Sequence, residues 1–378
     1  MDSKVEGPYP SIPGLEIVAE IGRGAHAVVY TARRDEQLYA VKMPRVAPGS
    51  TDDTLMRFRR EAAALARIRH PALPTVLEVG EVDSFPYLVL ERAANGTLAD
   101  LLAHGPLSES RVVEIGTALA GALGELHRFG LVHRDVKPSN VVLDGTGRVM
   151  LVDLGLAVPS PTAVGDEIAG TLRYAAPEQT GLLKRPVDAR SDLYALGVLL
   201  FECATGAPPF VSTDAADLAY QHAARPAPDV RERNPAVSPA LAAVIAKLLA
   251  KDPDDRYQSA AGLLADLAAL PALNAALAAG AEAPLGTEDH HAQPLVPLIG
   301  RDRELDRLRR LLTAAAEGTG SAVLITGVAG SGKTRLVAEL QHLAAAGGAL
   351  VLRGRCTEAN PVPFAPLREA IEEHVRSL

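Results

Sequence analysis

The residue types in one central segment suit the transfer of a phosphoryl group. Residues 133–140 read HRDVKPSN, in which Asp135 can accept a proton and Lys137 can stabilise developing negative charge. Asn140 and, further along, Asp153 supply the amide and carboxylate oxygens that Mg²⁺ prefers as ligands. Phosphoryl transfer passes through a loose transition state that needs positioned charge rather than covalent chemistry. This combination of groups therefore indicates phosphoryl transfer.

Two features nearer the N-terminus could bind the phosphates of a nucleotide. Residues 22–29 read GRGAHAVV and lie between two apolar runs typical of strands. A dinucleotide fingerprint needs a helix after its glycines, so that interpretation fails, and a plain glycine hairpin turn stays the alternative. Lys42 ends an apolar strand pattern, where a buried ammonium needs an anion such as Glu61. A surface salt bridge is the commoner explanation for such a pair taken alone.

A second glycine-rich segment lies near the C-terminus. Residues 327–334 read GVAGSGKT and match the pattern G-x-x-x-x-G-K-[ST] of a phosphate-binding loop (P-loop). The preceding run Ala322–Thr326 predicts a buried strand and the following residues predict a helix, which is the context that a P-loop requires. A glycine-rich turn without a ligand is the alternative. The predicted contacts to phosphates and Mg²⁺ are Gly327, Gly330, Gly332, Lys333 and Thr334.

The elements that position these segments change in character along the chain. Up to about residue 90, short apolar or alternating runs bounded by Gly, Pro and Asp predict strands, interrupted by a helix over residues 52–69. From Leu98 onward helical periodicity prevails, except near Val141–Val152. The fold class is therefore α+β, with a strand-rich lobe before a helix-rich lobe. The predicted strands are Leu15–Ile21, Val28–Ala32, Leu38–Lys42, Val76–Val79 and Tyr87–Leu90.

Composition divides the chain into four parts. An N-terminal extension, residues 1–14, precedes a folded region over residues 15–270. Residues 271–297 are rich in Ala, Gly and Pro and predict a linker. Residues 298–378 begin with an amphipathic helix over residues 301–316 and continue into the strand, P-loop and helix just described, an incomplete α/β nucleotide-binding segment.

The overall composition excludes several classes of protein. With 378 residues, 48% of them hydrophobic, the chain can bury a core without disulfides, and its two cysteines, Cys203 and Cys356, form no metal-binding pair. A formal charge of -8 and 4% aromatic residues argue against nucleic-acid binding. The N-terminus lacks a signal-peptide core, and the apolar run Leu193–Phe201 is too short for a bilayer. We therefore expect a cytoplasmic protein without membrane contact.

The order and spacing of these segments, completed by Ala-Pro-Glu at residues 176–178, resemble those of the bacterial Ser/Thr protein kinases of eukaryotic type over about residues 15–270. The resemblance implies a bilobal protein kinase fold and ATP- and Mg²⁺-dependent transfer of the γ-phosphoryl group to Ser or Thr of protein substrates in bacterial signalling. It also implies self-association for autophosphorylation. Lys137 and Thr171 resemble the Ser/Thr rather than the Tyr branch. A catalytically inactive nucleotide-binding scaffold is the alternative, although every charged catalytic residue is present.

The resemblance implies a role for each matching position. Asp135 would be the catalytic base and Lys137 would stabilise the transferring group, while Lys42, paired with Glu61, would bind the α- and β-phosphates. The implied Mg²⁺ ligands are Asn140 and Asp153. The implied contacts to the rest of ATP are Gly22 and Gly24 of the glycine loop, Val29, Ala40 and Val142 around adenine, and Leu90, Glu91 and Ala93 at the hinge.

Further matches imply structural roles. Glu178 and Arg256 resemble the ion pair that anchors the activation segment, and Asp192 resembles the helix residue that binds the catalytic loop. Two positions depart from the family pattern, because Ala27 replaces the third glycine of the loop and Leu154 replaces the Phe of the metal motif. Neither change removes a charge that the chemistry requires.

The activation segment, residues 153–178, carries candidate regulatory residues. Arg134 precedes the catalytic Asp135, and in related kinases such an Arg binds a phosphorylated residue of this segment. Permanent carboxylates could take the place of the phosphate and give basal activity without modification. The candidate anions are Asp166 and Glu167, or phosphorylated Ser160 and Thr162, and two solvated loop acids are the third interpretation.

The C-terminal part resembles the start of an AAA or STAND-type P-loop ATPase. No apolar run that ends in Asp follows the P-loop before Leu378, so the second acidic strand of such a metal site is missing. We therefore expect residues 298–378 to bind nucleotide weakly and to hydrolyse it no faster than background. A truncated fragment of a larger kinase–ATPase transcriptional regulator is favoured over a vestigial tail.

Overall fold

The computed structural model describes most of the chain, in two units. The first unit ends at Leu295 and the second begins at Val296. The described residues are 10–23, 27–45, 52–92, 96–144, 146–153, 172–183, 185–281, 283–289, 301–327, 333–352, 354, 364, 367, 368 and 371.

The first unit begins with a five-stranded antiparallel sheet in the order β1-β2-β3-β5-β4. One helix, α1, packs on the sheet through side chains at helical spacing, of which Phe58, Ala62 and Leu65 are buried. All five predicted strands and the predicted helix are confirmed within a few residues at their ends. The elements are β1 (Glu16–Arg23), β2 (Ala27–Arg34), β3 (Gln37–Pro44), α1 (Asp52–Leu65), β4 (Val76–Val82) and β5 (Phe85–Glu91).

Helices dominate the rest of the first unit, as the periodicity predicts. A two-stranded antiparallel hairpin, β6–β7, interrupts them where the sequence departs from helical spacing. The elements are α2 (Leu98–Leu102), α3 (Glu109–Arg128), β6 (Val141–Leu143), β7 (Val149–Leu151), α4 (Ala189–Thr205), α5 (Ala215–Ala224), α6 (Val230–Arg233), α7 (Pro239–Leu248) and α8 (Ala260–Ala278).

Helix α4 is the centre of the helical lobe. It is apolar on nearly every side, and its side chains from Leu193 to Phe201 are buried. It begins at the N-cap Asp188, whose side chain accepts a hydrogen bond from Arg190 N, and it ends at Gly206 in a left-handed conformation with φ 80°. The apolar run that is too short for a bilayer is therefore a core helix.

Helix α8 extends further than its sequence suggests. By length and composition alone it is the one helix in the described ranges that could cross a membrane, and the sequence analysis did not single it out. It packs against α3 and α7, and Leu263, Leu267 and Leu270 are buried there, as in a core helix of a globular lobe. The helix continues through Pro271 to Ala278, so the first part of the expected linker is helical.

The segment that follows α8, residues 283–289, folds back onto the helical lobe, and we call it the return segment. Its Asp289 carboxylate accepts hydrogen bonds from Gln258 N at 2.6 Å, Ser259 N at 2.9 Å and Ser259 Oγ at 2.8 Å. The N-cap of α8 is Ser259, whose Oγ accepts from Gly262 N, so Asp289 fixes this N-cap residue from beyond the C-terminal end of the helix. The expectation of a linker over residues 271–297 is therefore wrong for residues 271–278, which belong to α8, and for the return segment.

Two more bonds fix the return segment. Gly286 N donates to Asp266 Oδ2 at 2.7 Å, and Leu285 O accepts from Lys247 Nζ at 3.0 Å. Asp266 Oδ2 also accepts from Tyr257 Oη at 2.6 Å. Composition did not predict that this segment packs on the helical lobe. Individual polar groups hold it there, and it has no periodic apolar pattern that a sequence analysis would detect.

The described part of the second unit includes the helices α9 (Asp302–Ala316) and α10 (Lys333–Ala346), which pack through Leu305, Leu308 and Leu336. The predicted buried strand Ala322–Thr326 is not observed, since these residues pair with no strand and Leu324 is 87% exposed. A strand in this position is buried only between parallel neighbours, and the described ranges 301–327 and 333–352 provide none.

Candidate active site

Lys42 lies at a buried position of the sheet. In β3 it is opposite Val29 of β2 and Leu88 of β5. Its side chain is 5% exposed, and Nζ donates to Asp153 Oδ1 over 2.9 Å. Because an unpaired buried charge is heavily penalised, the ammonium requires such an anion. The expected burial of Lys42 is therefore confirmed, and Asp153 is one anion that the structure places beside it.

Burial and Lys42 act in opposite directions on Asp153. Burial raises the pKa of the Asp153 carboxyl, whereas the attraction and hydrogen bond from Lys42 lower it, and the net pKa lies below the usual value. Asp153 is therefore ionised at neutral pH. Glu61 lies half-buried on α1, which packs against β3. The pairing of Lys42 with Glu61 stays a prediction.

Asp135, Lys137 and Asn140 form one hydrogen-bonded cluster. Lys137 Nζ lies 2.7 Å from Asp135 Oδ2, and Asn140 Nδ2 donates to the same oxygen at 2.9 Å and to Asp135 O at 2.8 Å. A 3₁₀ turn, Pro138–Asn140, returns Asn140 to Asp135, and its first residue is a proline whose fixed φ suits that position. The Asp135 side chain is 27% exposed, so an external hydroxyl can reach it.

A buried carboxylate, Asp192 of α4, fixes the backbone before Asp135. It accepts from His133 N at 2.8 Å through Oδ2 and from Arg134 N at 2.7 Å through Oδ1. Arg134 has φ 67°, a left-handed conformation that costs about 1–3 kcal/mol for a residue with a side chain. The two bonds from Asp192 offset that strain. The structural role expected for Asp192 agrees with these contacts.

His133 links the Asp135 loop to the strand before Asp153. Asp135 N donates to His133 Nδ1 at 3.3 Å, which leaves the ring proton on Nε2, 3.3 Å from Val152 O. Burial lowers the pKa of His133 against the attraction of the surrounding carboxylates, so the ring is neutral at physiological pH. A neutral His133 therefore connects the two segments that carry the candidate base and the candidate metal ligand.

The donor chemistry of Asn140 and Asp153 fits Mg²⁺. Asn140 Nδ2 is engaged by Asp135, which leaves the amide oxygen as the group that can face a cation. Val152 N donates to Asn140 O at 2.8 Å, so the two ligand-bearing segments adjoin. The described residues contain no group of three His, Cys, Asp or Glu side chains placed to hold a metal ion by themselves. Phosphate oxygens and water would complete the coordination, as is usual for Mg²⁺.

The residues expected around adenine lie on two neighbouring strands of the five-stranded sheet and on the β6–β7 hairpin. Val29 of β2, Ala40 of β3 and Val142 of β6 are half-buried apolar residues, as the walls of a small-molecule pocket are. Ala40 lies opposite Leu90 of β5, directly before the hinge at Glu91. Gly22 lies at the end of β1, whereas Gly24 and Ala93 lie outside the described residues.

The expected ion pair Glu178–Arg256 is present and completely buried. Arg256 Nη1 and Nη2 donate to Glu178 Oε1 and Oε2 at 2.7 and 2.9 Å, and both side chains are 0% exposed. Ser191 Oγ adds a bond to Glu178 Oε1 at 2.6 Å. The residues of the activation segment expected to act in catalysis or regulation lie outside the described residues; they are Leu154, Ser160, Thr162, Asp166, Glu167 and Thr171.

In the second unit the structure describes only part of the P-loop. Lys333 begins α10, and its Nζ donates to Gly327 O at 2.8 Å. The backbone of Thr334 follows in the same helix, whereas Gly330 and Gly332 lie outside the described residues. A lysine at the start of a helix, with its ammonium bonded to the Gly327 carbonyl of the preceding loop, is compatible with a phosphate-binding site.

Three contributors to the site were missed by the sequence analysis. His127 Nε2 lies 2.8 Å from Asp192 Oδ2, and Gln179 Nε2 donates to Arg134 O at 3.0 Å. Arg148 contacts the hinge through Glu91 at 2.6 Å. A histidine at the end of an otherwise apolar helix signals His127, but nothing local in the sequence signals Gln179 or Arg148.

Comparison with known proteins agrees with this geometry. Residues 15–266 match the model of the protein kinase domain, and residues 297–378 match the model of an AAA ATPase domain. Serine/threonine-protein kinase PknB of Mycobacterium leprae is 38% identical over 259 residues, which are 65% of this chain and 41% of that protein. The probable serine/threonine-protein kinase SCO3848 of Streptomyces coelicolor is 39% identical over 270 residues, which are 67% of this chain and 39% of that protein. The chain therefore matches less than half of the length of these relatives.

Solved structures show the same fold. The PknI kinase domain of Mycobacterium tuberculosis is 28% identical with a TM-score of 0.53, and the match covers 70% of this chain and 99% of that chain. Rad53 in complex with AMP-PNP is 27% identical with a TM-score of 0.55, over 66% of this chain and 64% of that chain. The predicted bilobal kinase fold is confirmed. The kinase-domain model covers about two thirds of the residues, and the chain therefore belongs to the protein kinase domain family, with an AAA ATPase segment following the kinase domain.

Proposed function

We propose that the chain transfers the γ-phosphoryl group of ATP to Ser or Thr side chains of protein substrates. The observation that carries this proposal is the cluster in which Lys137 and Asn140 both contact the Asp135 carboxylate at hydrogen-bond distance. The cluster adjoins the ion pair between Lys42 and Asp153, so charges of both signs converge from both lobes. The names of the relatives, which are serine/threonine-protein kinases, support the substrate class.

In this mechanism Asp135 orients the substrate hydroxyl and accepts its proton as the oxygen attacks. The two donors on Oδ2 fix the carboxylate, so little reorganisation is needed when the hydroxyl arrives. Lys137 lies close enough to stabilise the negative charge on the transferring group. Position and charge therefore supply the rate enhancement.

Lys42 and the glycine loop would bind the phosphates of ATP. Lys42 Nζ projects from the sheet toward Asp153, where the nucleotide phosphates would approach both groups. Asn140 and Asp153 would hold Mg²⁺, which neutralises phosphate charge during transfer. Backbone N–H groups near Gly22 would contact phosphate oxygens, since glycine permits close approach. AMP-PNP in the Rad53 complex supports ATP as the nucleotide.

We also propose that the kinase acts in the cytoplasm, that copies associate for autophosphorylation and that Arg134 binds an anion of the activation segment. Asp166 and Glu167 are the permanent candidates for that anion, and Ser160 and Thr162 are candidates for phosphorylation. The left-handed backbone of Arg134, bonded by Asp192 and Gln179, supports a fixed role for this residue.

Replacing Lys42 by Met tests the proposed transfer reaction. We expect phosphate transfer from labelled ATP to a basic acceptor protein to fall at least about 100-fold, because an interaction with the phosphates is lost. The fold should persist, since Met fills a similar apolar volume. Replacing Arg33, an exposed arginine of the same sheet, by Met is the matched control and should leave transfer unchanged. Wild-type protein that binds ATP without transferring phosphate would favour the inactive scaffold.

We propose that the P-loop segment is a weak nucleotide site that serves as a switch module. Residues 307–378 contain no Asp, so they carry no apolar run that ends in the Asp expected to complete a Mg²⁺ site. ATP hydrolysis by the Lys42→Met protein should therefore stay at background, and adding Lys333→Ala should not change it. Sustained hydrolysis that disappears with Lys333→Ala would contradict this assignment.

A further inference from the structure

The side chain of the hinge residue Glu91 is bonded to both lobes. Arg148 Nη2 donates to Glu91 Oε1 at 2.6 Å, and Thr75 N donates to Glu91 Oε2 at 3.3 Å. Glu91 N in turn donates to Thr75 O at 2.9 Å. Thr75 directly precedes β4 of the sheet, whereas Arg148 directly precedes β7 of the helical lobe. The hinge peptide is therefore fixed from two sides.

Arg148 is itself oriented before it reaches the hinge. Its backbone N donates to Asp144 Oδ1 at 3.0 Å, and its Nε lies 3.2 Å from Asp144 Oδ2. Asp144 Oδ1 also accepts from Thr146 N at 2.9 Å, so the turn between β6 and β7 is closed by one carboxylate. A guanidinium oriented in this way loses less conformational entropy when it bonds Glu91.

The same hairpin carries Val142, one of the residues expected around adenine. Val142 lies on β6 opposite Met150 of β7, and Arg148 lies at the turn that joins these strands. One short rigid unit therefore presents an apolar side chain to the proposed adenine site and a cation to the hinge.

We propose that Arg148 is a positioning residue for the adenine base, because its bond to the Glu91 carboxylate fixes the distance between the hinge backbone and Val142. This inference rests on the proposed function. A fixed distance between the hinge backbone and Val142 favours the binding of adenine. The planar base must contact the apolar side chain with its face and the hinge backbone with its edge. The residue acts through Glu91 and contacts no reacting atom.

The ionisation of Glu91 supports this role. Burial raises the pKa of Glu91, but the bonds from Arg148 and Thr75 lower it, and the net pKa lies below the usual value. The pair is partly exposed, with 38% of Arg148 and 34% of Glu91 accessible to solvent, so its effect is moderate. We expect about a three- to tenfold change in affinity from its loss.

The test compares Arg148→Met with wild type in the full chain. Binding of adenosine, a probe without phosphates, reports the adenine site independently of the P-loop and of catalysis. We expect adenosine to bind about three- to tenfold more weakly and KM for ATP to rise by the same factor, with kcat nearly unchanged. Arg148→Lys should restore part of the affinity, and Glu91→Gln should add little to Arg148→Met.

Arg111→Met is the matched control. Arg111 Nη2 donates to Gly147 O of the same turn at 3.2 Å but does not contact the hinge, so its loss should leave adenosine affinity unchanged. Equal weakening in both variants would mean general loosening of the hairpin and would overturn the inference, as would unchanged affinity in Arg148→Met. Wild-type protein that binds adenosine without transferring phosphate would refute the proposed function alone.

Discussion

Replacing Asp135 by Asn is expected to lower kcat for phosphoryl transfer by about 10²–10⁴-fold, the range that a positioned general base contributes. Asn has nearly the same shape and can still accept a bond from Lys137 or Asn140, which now contact the Asp135 carboxylate. It cannot take the proton of the hydroxyl, and it leaves Lys137 without its anion. Activity should therefore fall without loss of the fold.

The measurement is the initial rate of transfer from labelled ATP to a protein acceptor, with ATP binding followed separately. Asp35→Asn is the matched control, because Asp35 is an exposed hairpin residue with φ 49°, a conformation that Asn also tolerates. The control should keep the wild-type rate. A near wild-type rate in Asp135→Asn would remove Asp135 as the base.

Replacing Arg256 by Met is expected to lower the free energy of unfolding by about 3–5 kcal/mol, the usual cost of removing one partner of a buried ion pair. Glu178 would keep a buried charge beside the Ser191 hydroxyl but without the guanidinium, since both partners are 0% exposed in the native pair. The carbonyls of Ala250 and Lys251 would also lose the guanidinium donors that bond them at 2.8 and 2.9 Å. The free energy of unfolding should therefore fall in Arg256→Met, independently of any effect of this change on catalysis.

Urea unfolding followed by circular dichroism measures this change. Arg33→Met provides the comparison, because its partner Glu16 is 3.5 Å away and both side chains are exposed, so the loss should stay below about 1 kcal/mol. Combining Arg256→Met with Glu178→Leu should recover part of the stability, since no charge is then buried alone. A loss in Arg256→Met no larger than in the control would show that the pair does not anchor the fold.

Local patterns were sufficient to predict the strands and α1, whereas the resemblance to a known family identified the segments that carry Asp135 and Asp153. Alternation marks a strand with one covered face, and the spacing of catalytic residues follows from the elements that separate them. The ion pair between Lys42 and Asp153 was harder to predict, because Asp153 lies 111 positions away and only the tertiary fold brings the two together. The strand Ala322–Thr326 is not observed, because an apolar run gives no information about partner strands and the described ranges of the second unit contain none.

The buried polar contacts could not be predicted from the sequence either. Asp192 was found through a family pattern, but its bonds to His127 and to the Arg134 backbone depend on how α4 crosses the loop. Arg148 and Asp289 each sit in a short polar stretch that looks like any solvated turn. Their importance comes from single hydrogen bonds to distant groups, which neither hydrophobic periodicity nor composition reveals.

The return segment defines where the kinase unit can be separated from the C-terminal part of the chain. A cut at Leu270 would divide α8 and remove the Asp289 carboxylate that bonds its N-cap residue Ser259, whereas a cut after Asp289 would leave both the helix and these bonds intact. The boundary of the portable unit therefore lies beyond the 15–266 family match. A kinase unit that ends after Asp289 keeps every described bond by which the return segment holds the start of α8 and Asp266.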